Sequence, residues 1–278
     1  MTRPKTRSEA LGKLRETLRD GKIIVGAGAG IGLSAKFIEK GGADLIILYN
    51  SGRYRMHGLG SLAGLMPYGD ANAIVCEMAE TVLPQVSSAP VLAGVCGTDP
   101  FRDMSIFLPK LRELGFIGVQ NFPTVGLIDG VFRQNLEETG MSYAKEVDMI
   151  KTAHDLDMLT APYVFSVDDG IKMTRAGADI IVVHLGLTTK GSIGAKTAVG
   201  LDDAVELVQE VRDACVKIRE DVIVLVHGGP VSDADDVKYV MERTKGLSGF
   251  FGASSLERVP VEVALEQAAK GFKEIALN

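Results

Sequence analysis

Two histidines close apolar runs of similar make-up. Ile180 to His184 reads IIVVH, and the run that opens at Val222 reads VIVLVH and ends on His227. An imidazole titrates near neutral pH, so a pair of them suits proton transfer, and with a carboxylate beside them they suit a metal. The simpler alternative is that each ring caps a core and bonds a backbone carbonyl. Asp99, in CGTDP after the run Pro90 to Val95, and Asn121, after Ile117 to Gln120, occupy equivalent places. Asp99 is a candidate acid, base, metal ligand or helix cap, and Asn121 a candidate to orient substrate or metal.

Anion recognition has its own residues. Gly228 and Gly229 follow His227, and Gly252, Ala253 and Ser254 follow the run GFF, so small residues leave backbone N–H groups open to an anion. Replacing Gly229 by Val is expected to abolish ligand binding while leaving the fold intact. Gly26 and Gly28, in GAGAGIG, are further candidates, with tight strand-to-helix packing as the alternative. Arg53 and Arg55, in NSGRYRMHGLGSLAGLMPYGD, offer planar bidentate donors to a phosphate or carboxylate, and His57 shares that loop.

These residues recur at one kind of place, where a short apolar run breaks into small or polar residues before a helical pattern. Runs at Lys22 to Val25, Asp44 to Tyr49, Pro90 to Val95, Ile117 to Gln120, Met158 to Phe165 and Ile180 to His184 precede the two that begin at Val222 and Gly249. Eight strand–loop–helix units in 278 residues predict a single (β/α)8 barrel over 1–278, with functional groups at the C-terminal mouth. Leu11, Leu14 and Leu18 mark a short N-terminal helix that covers the opposite face. Gly-Ala-Asp precedes two strands, at Gly42 to Asp44 and Gly177 to Asp179, so two joints are built alike. His154 falls on the apolar stripe of a helix with Tyr143, Val147 and Ile150 and reads as packing.

The net charge of −6 is spread along the chain without a basic patch, which argues against nucleic acid. No run approaches the roughly 20 apolar residues of a membrane span. Three cysteines without CxxC spacing suit a reducing cytosol, so a cytoplasmic protein is expected. GAGAGIG fails the G-x-G-x-x-G spacing and the next strand ends in Asn50, so no nucleotide cofactor is expected. The expected partner is a small anionic metabolite, and outer helices suit a homo-oligomer.

GAGAGIG, YNSGRYR, GSLAGLMPYGDAN, VLAGVCGTDPF, GVQNFPTVGLIDG, LEETGM, HLGLTTKGSIGAKTA, HGGP and GFFGASSLERVP together resemble the TIM-barrel phosphoenolpyruvate hydrolase-like family, over nearly the whole chain. The resemblance implies kinship with the phosphoenolpyruvate/pyruvate superfamily, whose members act on phosphonopyruvate, phosphoenolpyruvate or 2-oxo acids, usually with Mg²⁺. The Lys-Arg-Cys-Gly-His-like gating loop and acidic Mg²⁺ cluster of phosphonopyruvate-cleaving members are missing. The reading is a hydrolase or lyase on a small phosphorylated or phosphonylated 2-oxo acid. A metabolite-binding or signalling barrel without catalysis is the alternative.

Overall fold

The structure is a computed structural model that describes residues 2–277. Its strands are β1 (Ile24–Gly28), β2 (Leu45–Leu48), β3 (Val91–Gly94), β4 (Gly118–Gln120), β5 (Leu159–Thr160), β6 (Tyr163–Val164), β7 (Ile180–His184), β8 (Ile223–His227) and β9 (Gly249–Gly252). Around them lie α1 (Arg7–Arg19), α2 (Gly32–Lys40), α3 (Asn50–Met56), α4 (Ala71–Val82), α5 (Met104–Leu114), α6 (Gly130–Glu138), α7 (Tyr143–Asp155), α8 (Val167–Arg175), α9 (Leu201–Ile218), α10 (Ala234–Arg243) and α11 (Arg258–Lys273).

Every strand pairing is parallel, in the order β5-β4-β3-β2-β1-β9-β8-β7-β6. The two ends of that order are halves of one strand. β5 pairs with β4 and β6 with β7, and between them Ala161 N–H bonds the Val119 carbonyl while the Pro162 carbonyl accepts from Val182. The ladder therefore closes, and the chain is a (β/α)8 barrel whose fifth strand is split.

Alternation along each strand builds two cores. Leu45, Ile47, Leu92, Leu159, Val182, Leu225 and Phe251 point into the barrel, whereas Ile46, Leu48, Val91, Val119, Ile181, Val224 and Val226 meet the helices. α1 plugs the interior from the strands' N-terminal ends, with Ala10, Leu11 and Leu14 buried among the inward residues. The Gly-Ala-Asp joints anchor it. Asp44 accepts the Val25 N–H and the Thr17 hydroxyl, and Asp179 accepts the Thr160 N–H and a bidentate pair from Arg7 at 2.9 and 2.6 Å.

Three expectations shift. β1 begins later than expected and runs through Gly28, so half of the glycine-rich run is strand. The stretch from Asn50 to Asp70 is not one long loop, since it forms α3 and a 3-10 turn at Ser61–Leu65. Between β4 and α7 the chain also forms α6. The fifth strand breaks at Pro162, which has no N–H to offer the ladder. His154 is half buried, with its ring against the left-handed Gly177 turn.

Candidate active site

β7 and β8 run in register, so His184 sits opposite His227. Their ring centroids lie 4.6 Å apart, and Tyr163 from β6 lies 4.8 Å from one ring and 5.0 Å from the other. Both imidazoles are only 6–7% exposed yet line a narrow cleft at the mouth, with Tyr49, Ser51, Ser61, Thr188, Ala253 and Ser254. Leu62 and Leu187 narrow its entrance, and the free volume is about 30 Å³, room for a water or two. A shallower vestibule of about 200 Å³ shares Ser61, Leu62, Leu187, Thr188 and Ser254 with the cleft and adds Arg258. A substrate of several atoms reaches the histidines only if the loops carrying Leu62 and Leu187 part.

The hydrogen bonds assign the two rings opposite tautomers. His184 Nδ1 accepts the Gly186 N–H at 3.0 Å, so its proton sits on Nε2. His227 Nδ1 lies 2.7 Å from the Phe251 carbonyl and must donate, which leaves a lone pair on Nε2, 3.4 Å from the Tyr163 hydroxyl. Burial keeps both rings neutral. Desolvation pushes His227 down to about 4, and desolvation together with the neighbouring His227 pushes His184 well below the usual imidazole range.

Below the cleft lies a buried polar scaffold. Glu257, 1% exposed, takes two hydrogen bonds from Arg55 at 3.1 and 2.9 Å and two more from the Gly30 N–H and the Ser34 hydroxyl. Across the barrel, Glu146 accepts from Asn121 (2.7 Å), the Thr124 hydroxyl (2.7 Å) and the Val125 N–H (2.8 Å). Burial nonetheless pushes its carboxyl up to about 7. Asn121 in turn bonds both the N–H and the carbonyl of Tyr163, so Glu146 fixes the strand that carries the tyrosine.

Of the candidate residues, His184, His227, Ala253 and Ser254 meet at the cleft. The others need correction. Arg53 pairs with Glu77 on the surface at 2.8 Å, and Arg55 is spent on Glu257. A Cβ on Gly26 would touch the Phe251 ring at 2.7 Å, and one on Gly28 would meet the Tyr49 hydroxyl at 2.6 Å, so these glycines allow close packing. Gly252 faces Phe250 and Leu256 in the helix layer. Asp99 is held by Asn72 and Arg102 at a separate surface hollow. Asn121 works in the scaffold. The Gly229 N–H bonds the Gly186 carbonyl at 2.8 Å, and Gly228 and Gly229 are both left-handed, at φ 75° and 57°. A Cβ on Gly229 would lie 2.4 Å from the Leu185 carbonyl, so Gly229→Val disrupts the loop itself and does not isolate anion binding.

Tyr163, Glu146, Glu257 and Arg258 went unrecognised in the sequence. Tyr163 and Arg258 are ordinary in type and spacing, and a buried carboxylate looks like a surface one until its partners are known. Mg²⁺ demands several oxygen ligands, usually with carboxylates. No carboxylate lines the cleft, the two buried glutamates are fully engaged, and among the described residues no group of three or more His, Cys, Asp or Glu is placed to hold a metal. The donor set at the mouth does not fit Mg²⁺.

A family described as phosphoenolpyruvate hydrolase-like matches residues 9–275. The chain belongs to that family. Two tomato (Solanum lycopersicum) proteins are similar to it: the ToMV susceptible protein tm-1(GCR26), 60% identical over 96% of this chain and 36% of its own length, and the ToMV resistance protein Tm-1(GCR237), 59% identical over 98% and 36%. The chain thus spans about a third of these relatives. Among solved structures, the phosphoenolpyruvate phosphomutase of Streptomyces platensis subsp. rosaceus superposes with a TM-score of 0.61 at 16% identity, covering 96% of this chain and 92% of that one. A 2,3-dimethylmalate lyase gives 0.61 at 16% over 96% and 89%, and a phosphonopyruvate hydrolase in complex with oxalate and Mg²⁺ gives 0.56 at 15% over 97% and 88%. At these identities the likeness establishes the barrel alone. No helix among the described residues is long and apolar enough to cross a membrane.

Proposed function

We propose that the chain is a lyase or hydrolase of a small anionic 2-oxo acid, phosphorylated or phosphonylated acids included, with its chemistry in the cleft between His184, His227 and Ser254. The observation that carries this reading is the opposed tautomers of two neutral imidazoles. The Nε2 lone pair of His227 takes the proton of an attacking water or a substrate hydroxyl, directly or through Tyr163. The His184 Nε2–H and the hydroxyls of Ser51, Thr188 and Ser254 face charge that develops on the substrate's oxygen, and one such donor is worth roughly 3 kcal/mol in a dry site. Arg258 lines the vestibule, and its guanidinium, paired with Glu262 at 2.7 Å, meets an incoming carboxylate or phosphate by sharing or leaving that partner. The family description supports this class of reaction, as do fold neighbours named as a phosphonopyruvate hydrolase, an oxaloacetate acetylhydrolase and a 2,3-dimethylmalate lyase. The unpaired thiols of Cys76, Cys96 and Cys215 suit a reducing, cytosolic setting.

The test is a thermal-shift screen against oxaloacetate, phosphonopyruvate, phosphoenolpyruvate, pyruvate and inorganic phosphate, with and without Mg²⁺, followed by assays for released pyruvate, oxalate or phosphate. A ligand at a hundredfold excess over Kd stabilises by about 2.7 kcal/mol. Turnover that His184→Asn and His227→Asn abolish supports the enzyme. The tightness of the cleft, and tomato relatives named for virus susceptibility and resistance, favour a second reading, a binding module. A shift without turnover in any assay decides for it, and no shift with any of the five acids refutes the substrate class.

A further inference from the structure

The cleft wall holds a second phenol. Tyr49 is buried there, with its ring 4.9 Å from that of Phe122, which in turn lies 6.4 Å from the ring of Tyr163. A Cβ on Gly28 would lie 2.6 Å from the Tyr49 hydroxyl and 3.2 Å from Arg55 Nη2, so the phenol and the guanidinium head meet at one point beside β1. The Tyr49 hydroxyl is within hydrogen-bonding reach of Arg55 on one side and of Tyr163 on the other. Tyr163 in turn approaches His227 Nε2 at 3.4 Å. A line of polar heads therefore runs from the Glu257–Arg55 pair through Tyr49 and Tyr163 to His227.

The two ends of this line fix its direction. A guanidinium has donors and no acceptor. His227 spends its Nδ1 proton on the Phe251 carbonyl, so its Nε2 can only accept. Each hydroxyl between them has one proton to give. Both phenols must then point toward the histidine: Arg55 donates to Tyr49, Tyr49 to Tyr163, and Tyr163 to His227 Nε2. Each donor polarises the next. The lone pair of His227 is thus occupied by Tyr163, while the second lone pair of the Tyr163 oxygen is left for whatever enters the cleft.

We infer that Tyr163 is the group that takes the proton from water or substrate, relaying its own to His227 behind it, and that Tyr49 is a positioning residue that keeps the phenol proton aimed at Nε2. The inference rests on the lyase or hydrolase activity proposed for the cleft. As the O–H bond of the attacking water or substrate hydroxyl breaks, its proton passes to the Tyr163 oxygen and the phenol's own proton passes to His227 Nε2. The electron pair of the broken bond stays on the attacking oxygen. Tyr163 is neutral before and after, and His227 carries the positive charge until it returns the proton, by the same route, to the leaving group. Burial and the Arg55 charge both disfavour the imidazolium and so favour that return.

Tyr49→Phe and Tyr163→Phe each remove one hydroxyl and keep the ring. At pH 7 the ¹⁵N resonance of the unprotonated Nε2 of His227 reports the hydrogen bond it accepts. It should move to the unbonded position in Tyr163→Phe, and part of the way in Tyr49→Phe, although the Tyr49 hydroxyl does not touch the imidazole. With a substrate that the wild type turns over, Tyr163→Phe should lower kcat by about a hundredfold or more and Tyr49→Phe by about tenfold, with KM little changed in both. A His227 resonance that Tyr49→Phe leaves in place overturns the chain. Full turnover in Tyr163→Phe overturns the relay, because His227 then acts directly. A wild type that turns over none of the acids overturns the activity and the relay together, and the resonance shift still measures the hydrogen-bond chain by itself.

Discussion

Glu257→Ala tests the scaffold most directly. The carboxylate is fully buried and receives four hydrogen bonds, from Arg55 Nε and Nη2, the Gly30 N–H and the Ser34 hydroxyl, so it joins the β1 loop, α2 and α3 to the residues just after β9. Removing it leaves the Arg55 guanidinium, itself 2% exposed, without a counter-charge. Breaking a buried pair from one side costs about 3–5 kcal/mol, which for a domain of this size lowers Tm by roughly 10 °C. Urea unfolding followed by circular dichroism gives the loss as a change in midpoint at constant slope. The charge argument makes a sharper demand of the double variant Arg55→Met with Glu257→Met. Once neither charge is buried, its loss should be smaller than that of Glu257→Ala alone. A single-variant loss below about 1 kcal/mol, or two losses that simply add, refutes the claim that desolvated charge dominates this site.

The buried cleft histidines and Glu146 set opposing pH dependences. Below pH 6.5 the unfolded chain protonates an imidazole that native His227 keeps neutral down to about 4, so stability falls with acid by about 3 kcal/mol in all. Glu146 acts in the opposite sense, because between 4.5 and about 7 the native state keeps a proton the unfolded chain has lost, and its contribution fades as pH rises. His184, held well below the imidazole range, adds to stability in the same sense as His227, so wild-type stability is expected to rise from pH 4.5 to 6.5, and that of Glu146→Gln to rise more steeply across the same window; equal slopes in urea titrations count against the assignment. At pH 7 the ¹⁵N spectrum of the imidazoles should contain one neutral Nε2–H ring and one neutral Nδ1–H ring from the cleft, and two Nε2–H rings would remove the base proposed here. Gly30→Ala places a Cβ 2.1 Å from the Gly52 carbonyl and is expected to cost about 2–3 kcal/mol in the same unfolding assay. Arg258→Gln should weaken binding of an anionic ligand at least tenfold in calorimetry while His227 still titrates as in the wild type.

The barrel was legible because its strands announce themselves locally. Runs such as IIVVH and VIVLVH are buried on both faces and end in small residues, which needs no tertiary knowledge to recognise. The same rule placed His184 and His227 at the mouth. It misled at Asp99, which also follows a strand, because a carboxylate's role is decided by its neighbours and Arg102 lies three residues away to claim it. The glycines were ambiguous for a related reason: for Gly26 and Gly28 the structure favours the packing alternative to anion binding, and Gly252 packs likewise. Gly26, Gly28 and Gly252 are small because Phe251, Tyr49 and Leu256 press against them, and a side chain that approaches from another strand leaves no trace in the local sequence. Glu146 and Glu257 gain their meaning from partners 21–25 and 202–227 residues distant.

The split fifth strand gives the barrel a seam. Elsewhere neighbouring strands share up to five registered pairs, but β5 and β6 contribute two residues each, to different neighbours, and Pro162 between them has no N–H to give. A closed hoop breathes where its lacing is thinnest, so transient opening should begin along this line and not at the β7–β8 junction. Tyr163 stands on that seam with its ring against both histidines. Fluctuation along the seam should therefore reach the Tyr163 phenol before it reaches the two imidazoles, which stand on the five-pair β7–β8 junction.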